Sequence, residues 1–271
     1  MTLRNLLFFA FFLSVSLATA QSSASKNITI FELPAPQLDT LKKIRLYLPG
    51  SYKTSEKKYP VIYMHDAQNL FDNETSYAGE WAVDEFLDSL AKKEVIVVGI
   101  DHGGDKRIGE LTPFKNEKYG GGNAEAYLKF LTQILKPYID SKYRTLPGYK
   151  HTGIFGSSLG GLVSFYAGLR YPDTFSKIGV YSPSFWFSDN IYSYAEETPL
   201  NPQTKFYFLA GTEEGEEVIP DIEKMIGILQ KKGLKEENYQ LKIVEDGKHN
   251  EKLWRDSFPE TFEWLEDYES L

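Results

Sequence analysis

The chain has no cysteine, which excludes disulfides, thiolate nucleophiles and cysteine-ligated zinc. Basic charge is scarce as well. The 30 Lys and Arg stand against 38 Asp and Glu, a formal net charge of −8 that speaks against a nucleic-acid footprint and for a soluble surface. Histidine is rarer still: His65, His102, His151 and His249 are the whole supply, so the search for a catalytic base is short. No internal repeat, low-complexity stretch or linker breaks the chain, and 271 residues suit one large domain better than two small ones.

A long apolar run occurs once, at the N-terminus. Arg4 precedes LLFFAFFLSVSLA (residues 6–18), and Ala18–Ala20 supplies a small-x-small boundary. The run is short for a bilayer span, so a membrane anchor is the weaker reading. No cysteine follows it, which rules out lipoprotein processing. The expectation is a signal peptide over residues 1–20, cleavage after Ala20, and export to the periplasm or the medium. The mature chain, residues 21–271, would be a single domain with 29 basic against 38 acidic residues and no stable membrane span.

The remainder alternates between strand and helix patterns. Strands are predicted at 27–33, 42–48, 59–66, 94–101, 151–155, 177–182, 205–211 and 239–245. Helices are predicted at 80–93, 123–143 (Asn123 as N-cap, Pro137 as a bend), 162–171 with a start near Leu159, 220–233 and 251–268. Near-continuous apolar strands such as EVIVVGID fit a sheet covered on both faces. The pattern implies an α/β fold with a mostly parallel central sheet, helices on both faces, and an antiparallel N-terminal edge.

Within this frame FGSSLGG (155–161) joins a strand to a helix. A serine at such a turn stands above the carboxyl edge of the sheet, and the positions two before and two after it must be small. Gly156 and Gly160 flank Ser158 in this way, whereas Phe155 and Leu159 would flank Ser157. Ser158 is therefore the candidate nucleophile. A serine hydroxyl needs a general base, and the base an orienting carboxylate, in the chain order Ser, acid, His. His249 is the one histidine after Ser158, in the loop DGKHNE. LAGTEEGEE offers Glu213, Glu214, Glu216 and Glu217 for the acid. Glu214 is preferred, Glu213 is second, and Asp246 is weaker because it shares the short loop with His249. The oxyanion calls for two N–H donors, assigned to the backbone of Leu159 and of Ala67. His65, Asp66 and Asp72 could instead mark a metal site, but a loop shaping the oxyanion hole is the simpler account, and no metal is assigned.

HDAQNLFD, GEWAVDEFL, FGSSLGG, GTEEG and DGKHNEKLWRDSFPETFEWL together resemble the "putative esterase" family across residues 28–268. That family includes esterase D, enterochelin-type trilactone esterases, feruloyl and acetylxylan esterases, and mycolyltransferases. The resemblance implies an α/β-hydrolase fold hydrolysing carboxylic esters without a metal or organic cofactor. Ser158 and His249 match the family's nucleophile and base. Glu214 stands at the usual acid position, where many members have Asp.

Substrate signals are thinner. Trp186 and Phe185 in SPSFWF either line an acyl pocket or pack in the core, and YGGGN (119–123) is a loop over the site or a lead-in to a helix. Arg107 either binds a substrate carboxylate or pairs with Glu110, the pair being preferred. The expected substrate is a small-molecule or polysaccharide-linked ester: feruloyl or acetyl groups, or siderophore trilactones. Acyl transfer and non-catalytic ligand binding are the alternatives.

Overall fold

The computed structural model describes residues 22–90 and 92–266; the expected signal peptide, residues 1–20, lies outside the described residues. The strands are β1 (Ile28–Ala35), β2 (Thr40–Tyr47), β3 (Val61–His65), β4 (Ile96–Ile100), β5 (Lys115–Asn116), β6 (Gly120–Gly121), β7 (Thr152–Ser157), β8 (Lys177–Tyr181), β9 (Lys205–Gly211) and β10 (Tyr239–Val244). β5 and β6 form a small hairpin. The others make an eight-stranded sheet in the order β1-β2-β4-β3-β7-β8-β9-β10. β2 runs antiparallel to β1 and β4, and every other neighbouring pair is parallel. The antiparallel N-terminal edge and the parallel remainder match the expected fold class.

The helices are α1 (Val83–Ser89), α2 (Arg107–Leu111), α3 (Ala124–Phe130), α4 (Lys136–Lys142), α5 (Leu159–Arg170), α6 (Asn190–Glu197), α7 (Val218–Lys231) and α8 (Glu251–Leu265). They cover both faces of the sheet. Along β3, Val61 and Tyr63 join the apolar cluster under α3, α5 and α7, while Ile62 and Met64 join the cluster under α1 and α8. Strands loaded on both sides need apolar residues at consecutive positions, which is why β3, β4 and β8 are buried throughout. Each fully buried Val, Leu or Ile contributes about 1.5–3 kcal/mol to this packing.

Several element boundaries differ from expectation. The helix predicted at 80–93 is confined to Val83–Ser89. Trp81 is stacked on Tyr181 at 5.1 Å and donates its N–H to the Asn69 carbonyl, so the helix starts only beyond it. The helix predicted at 123–143 is interrupted by a π-turn over Leu131–Leu135, where the Lys136 N–H reaches back to the Leu131 carbonyl. The wider turn lies just ahead of Pro137, which has no N–H to continue the ladder. Asn123 occupies the N-cap position without a side-chain cap bond. α2 and α6 lie in segments where no helix was predicted.

The junction of β7 with α5 fixes the site. A Cβ on Gly156 would stand 2.7 Å from the Gly160 carbonyl carbon and 2.9 Å from His65 Cδ2. One on Gly161 would stand 2.7 Å from the Tyr181 carbonyl oxygen. Replacing Gly156 by Ala therefore forces strand and helix apart, at an expected loss of about 1–3 kcal/mol. Gly227, inside α7, has open space where a Cβ would go, and Gly227→Ala should gain up to about 1 kcal/mol. Urea unfolding of the two variants checks the contrast. Equal stability in both would disprove the close approach.

His65, at the end of β3, is buried beneath this junction and bonds through Nδ1 to the Tyr127 hydroxyl at 2.7 Å. Burial pushes its pKa down to about 4. Arg107 and Lys42 act in the same sense, and Asp66 opposes them. Between about 4 and the free value of about 6.5 the unfolded chain holds a proton that the folded chain lacks, so this contribution to stability falls as pH falls through the window. Asp84 has the opposite slope, because burial raises its pKa to about 8. The His65 contribution is thus visible only as a difference. From pH 7 to pH 5 the wild type should lose about 2 kcal/mol more stability than His65→Gln. Parallel losses in the two proteins would show that His65 is not held neutral by the fold.

Candidate active site

Ser158 stands between β7 and α5 with φ 59° and ψ −122°, a conformation strained for any residue but glycine. Its N–H donates to the Tyr181 carbonyl at 2.9 Å, and its carbonyl accepts from the Ser184 N–H at 3.2 Å. The strained turn is thereby tied to β8 and to the loop that follows it. Ser158 Oγ lies 3.3 Å from Ser184 Oγ. Leu159 is the first residue of α5, so its N–H has no acceptor within the helix and lies at the positive end of the helix dipole. Ala67 opens a one-turn helix (Ala67–Asn69) behind Asp66, which is left-handed at φ 54°. The two turns adjoin: a Cβ on Gly160 would meet His65 Cβ at 3.3 Å and Asp66 Oδ2 at 3.5 Å.

Glu214 and His249 come from the loops after β9 and β10. These loops cross so closely that neither Gly211 nor Gly247 has room for a Cβ. Backbone bonds lock the crossing, from the Glu213 N–H to the Gly247 carbonyl (2.8 Å) and from the Thr212 N–H to the Val244 carbonyl (3.0 Å). The Glu214 side chain is wholly buried and accepts from His249 Nδ1 at 2.8 Å, while the His249 side chain is 41% exposed. The carboxylate accepts only, so Nδ1 carries a proton, and in the neutral ring Nε2 is the acceptor. The remaining Glu214 oxygen accepts from the Gly211 N–H at 2.7 Å and from the Ser182 hydroxyl at 2.8 Å. Glu213, the second candidate, points away and pairs with Lys248 at 3.2 Å. Asp246 is a turn residue at φ 55° whose N–H donates to Thr212 Oγ1.

Ser158 and His249 line one open cavity of about 700 Å³, together with Asp66, Tyr77, Arg107 and Trp254 among others. Arg107 does not pair with Glu110, as the sequence suggested. It forms a two-pronged bond to Asp66 (2.7 and 2.9 Å), which holds its guanidinium on the cavity wall. Glu110 is instead paired with buried Lys42. Phe185 is another correction: it is fully buried against Phe165 and Tyr192 and lines no part of the cavity. Trp186 is 53% exposed and packs edge-on against Tyr119, also away from the cavity lining. His65, Asp66 and Asp72 are engaged separately, with Tyr127, Arg107 and Ser22 respectively. Among the described residues no cluster of His, Asp and Glu has metal-binding geometry. Sequence reasoning missed Ser182 and Trp254, which stand 32 and 40 residues from Glu214 in the chain.

The sequence is 29% identical over 242 residues to the uncharacterized protein YbbA of Bacillus subtilis, covering 83% of this chain and 92% of that one. It is 27% identical over 225 residues to an endo-1,4-beta-xylanase/feruloyl esterase of Xylanibacter ruminicola, across 79% of this chain and 28% of that protein. The enterobactin esterase FES of Shigella flexneri superposes with a TM-score of 0.70 at 18% identity, across 92% of this chain and 60% of that one. The shared architecture is the α/β-hydrolase fold. With the family model described as "Putative esterase" matching residues 35–265, the chain belongs to that esterase family.

Proposed function

We propose that the protein is a serine carboxylesterase. The observation that carries this reading is a cavity shared by a serine in a strained strand-to-helix turn and a histidine whose Nδ1 is bonded to a buried glutamate. In the proposed reaction His249 Nε2 takes the proton of Ser158 Oγ as that oxygen attacks the ester carbonyl carbon. The N–H groups of Leu159 and Ala67 hold the negative oxygen of the tetrahedral intermediate. The intermediate collapses as imidazolium returns the proton to the departing alkoxide, leaving an acyl-serine. Water, deprotonated by His249, then adds to the acyl carbon and releases the acid. Glu214 keeps the proton on Nδ1 and stabilises the imidazolium. No step calls for a metal or an organic cofactor.

A cavity of about 700 Å³ accepts a small-molecule ester or one acyl group borne on a larger chain. A substrate among aromatic acyl esters of polysaccharides or siderophore lactones is the reading we favour, and the feruloyl and enterobactin esterases among the similar proteins support it. Export after removal of residues 1–20, leaving a single esterase domain from Gln21, completes the reading.

Ser158→Ala and His249→Ala should each lower kcat/KM on an aryl ester by a factor on the order of 10⁴ or more. The double variant should be scarcely worse, because the pair acts as a unit. Glu214→Gln should cost a factor on the order of 10⁴. Glu213→Gln, at an exposed pair, should cost little. Steady-state kinetics on feruloyl, acetyl and catechol-lactone esters, with and without EDTA, measures all of these. Full activity in Ser158→Ala, or loss of activity on chelation, would refute the mechanism.

A further inference from the structure

Behind Glu214 lies a hydrogen-bonded chain that the catalytic scheme does not use. Trp254 Nε1 donates to Ser182 Oγ at 2.8 Å, and Ser182 Oγ donates to Glu214 Oε1, also at 2.8 Å. The direction is forced. An indole N–H only donates and a carboxylate only accepts, so the single hydroxyl proton of Ser182 goes to Glu214. With the Gly211 N–H on the same oxygen, Oε2 is left to His249. No water can substitute, since the Glu214 side chain is wholly buried and Ser182 is 1% exposed. The chain also closes on itself. The Trp254 ring meets the His249 ring edge-on, with centroids 5.2 Å apart and planes at 86°. Trp254 thus touches the histidine directly and, through Ser182, sets the carboxylate that orients it.

The backbone adds a second observation. Ser182 sits one residue beyond β8 at φ 45°, in the left-handed region where a glycine would be at ease. It is the partner the hydroxyl finds there, not the backbone, that favours serine. Trp254 is held equally firmly. It lies in the first turn of α8, whose start is capped by Asn250 Oδ1 accepting from the Leu253 N–H, and it packs on Trp81.

We propose that Ser182 and Trp254 are positioning residues, which act through Glu214 to hold His249 in the orientation and tautomer that general-base catalysis needs. The proposal rests on the esterase mechanism above. Ser182→Gly removes the hydroxyl and relieves the backbone, so it separates positioning from stability. Its kcat should fall about 10- to 100-fold, the scale on which outer hydrogen-bond partners act on the ligands of metal sites. KM should change by less than about twofold, because Ser182 is not placed to touch substrate. Its melting temperature should lie above that of Ser182→Ala, which loses the same buried hydrogen bonds and keeps the backbone strain. Ser182→Ala, which keeps the strain, should show the same loss of kcat. Trp254→Phe keeps a ring and loses the N–H. Most of its loss should vanish in the Ser182→Gly background, because the two residues act in series. The low-field proton resonance of His249 Nδ1–H should shift in Ser182→Gly and disappear in Glu214→Gln. Wild-type kcat in both Ser182 variants, or an undiminished Trp254→Phe effect in the double variant, would overturn the proposal. Ser158→Ala, measured alongside, separates the two levels of the argument. Its inactivity together with an unaffected Ser182→Gly removes only the positioning role, whereas its full activity removes the esterase mechanism and this inference together.

Discussion

The close approach of α5 to the ends of β7 and β3 is the constraint from which the site follows. Where Gly156 faces Gly160 the backbones are nearer than any side chain allows, so the connecting residue must turn sharply through φ 59°. That turn lifts the Ser158 hydroxyl out of the sheet and leaves the Leu159 N–H at an open helix end. Strain of this kind persists only where its surroundings over-determine it. Here they do: β8 accepts the Ser158 N–H through Tyr181, and the loop after β8 donates the Ser184 N–H to the Ser158 carbonyl. The turn is fixed by the sheet on one side and by its own consequence, the loop over β8, on the other.

The parallel order of the sheet then gathers the remaining groups. β3, β7, β8, β9 and β10 all end at the same edge, so residues from five loops meet there although they span from Ala67 to His249 in sequence. The crossing of the last two loops at Gly211 and Gly247 does for Glu214 and His249 what the glycine pair at 156 and 160 does for Ser158. It also divides their environments. Glu214 is enclosed and surrounded by donors, while His249 keeps one side toward the cavity. A buried carboxylate without partners would be costly, and the Gly211 N–H, Ser182 O–H and His249 Nδ1–H offset that cost directly.

Legibility in the sequence tracked the range of the interaction. Strands loaded on both faces show as apolar runs, so β3, β4, β8 and β9 were readable. The positions of Ser158, His249 and Glu214 followed from local glycine spacing and chain order. Glu214 was preferred over Glu213 without contact information; in the structure Glu214 faces His249 and Glu213 faces Lys248. Arg107 was misread because Glu110 lies only three residues on in the chain, whereas Asp66 lies 41 residues earlier. FWF hid its own division of labour. In a tight 3-10 turn successive side chains point to different sides, so Phe185 is in the core while Trp186 is half in solvent. The Trp254–Ser182–Glu214 chain was invisible for the same reason as the Arg107 pair: no spacing rule links donors that distant.

The turn at Ala67 shows how the antiparallel edge, far from the nucleophile in strand order, still bears on the site. Asp66 is held left-handed with its carboxylate in the two-pronged grip of Arg107, the first residue of α2. Glu110, on the same short helix, is paired with Lys42 of β2, and both side chains are buried. A pair of that kind is a poor source of net stability, yet breaking it leaves a buried charge at a cost of about 3–5 kcal/mol. Its effect is therefore to hold α2 in one place rather than to strengthen the fold. A five-residue helix cannot hold its own position by propensity, since isolated helices need roughly three times that length. The ion pairs at its two ends supply that anchorage. Through them β2 fixes α2, α2 fixes Asp66, and Asp66 sets the backbone direction of Ala67, the N–H assigned here to the oxyanion.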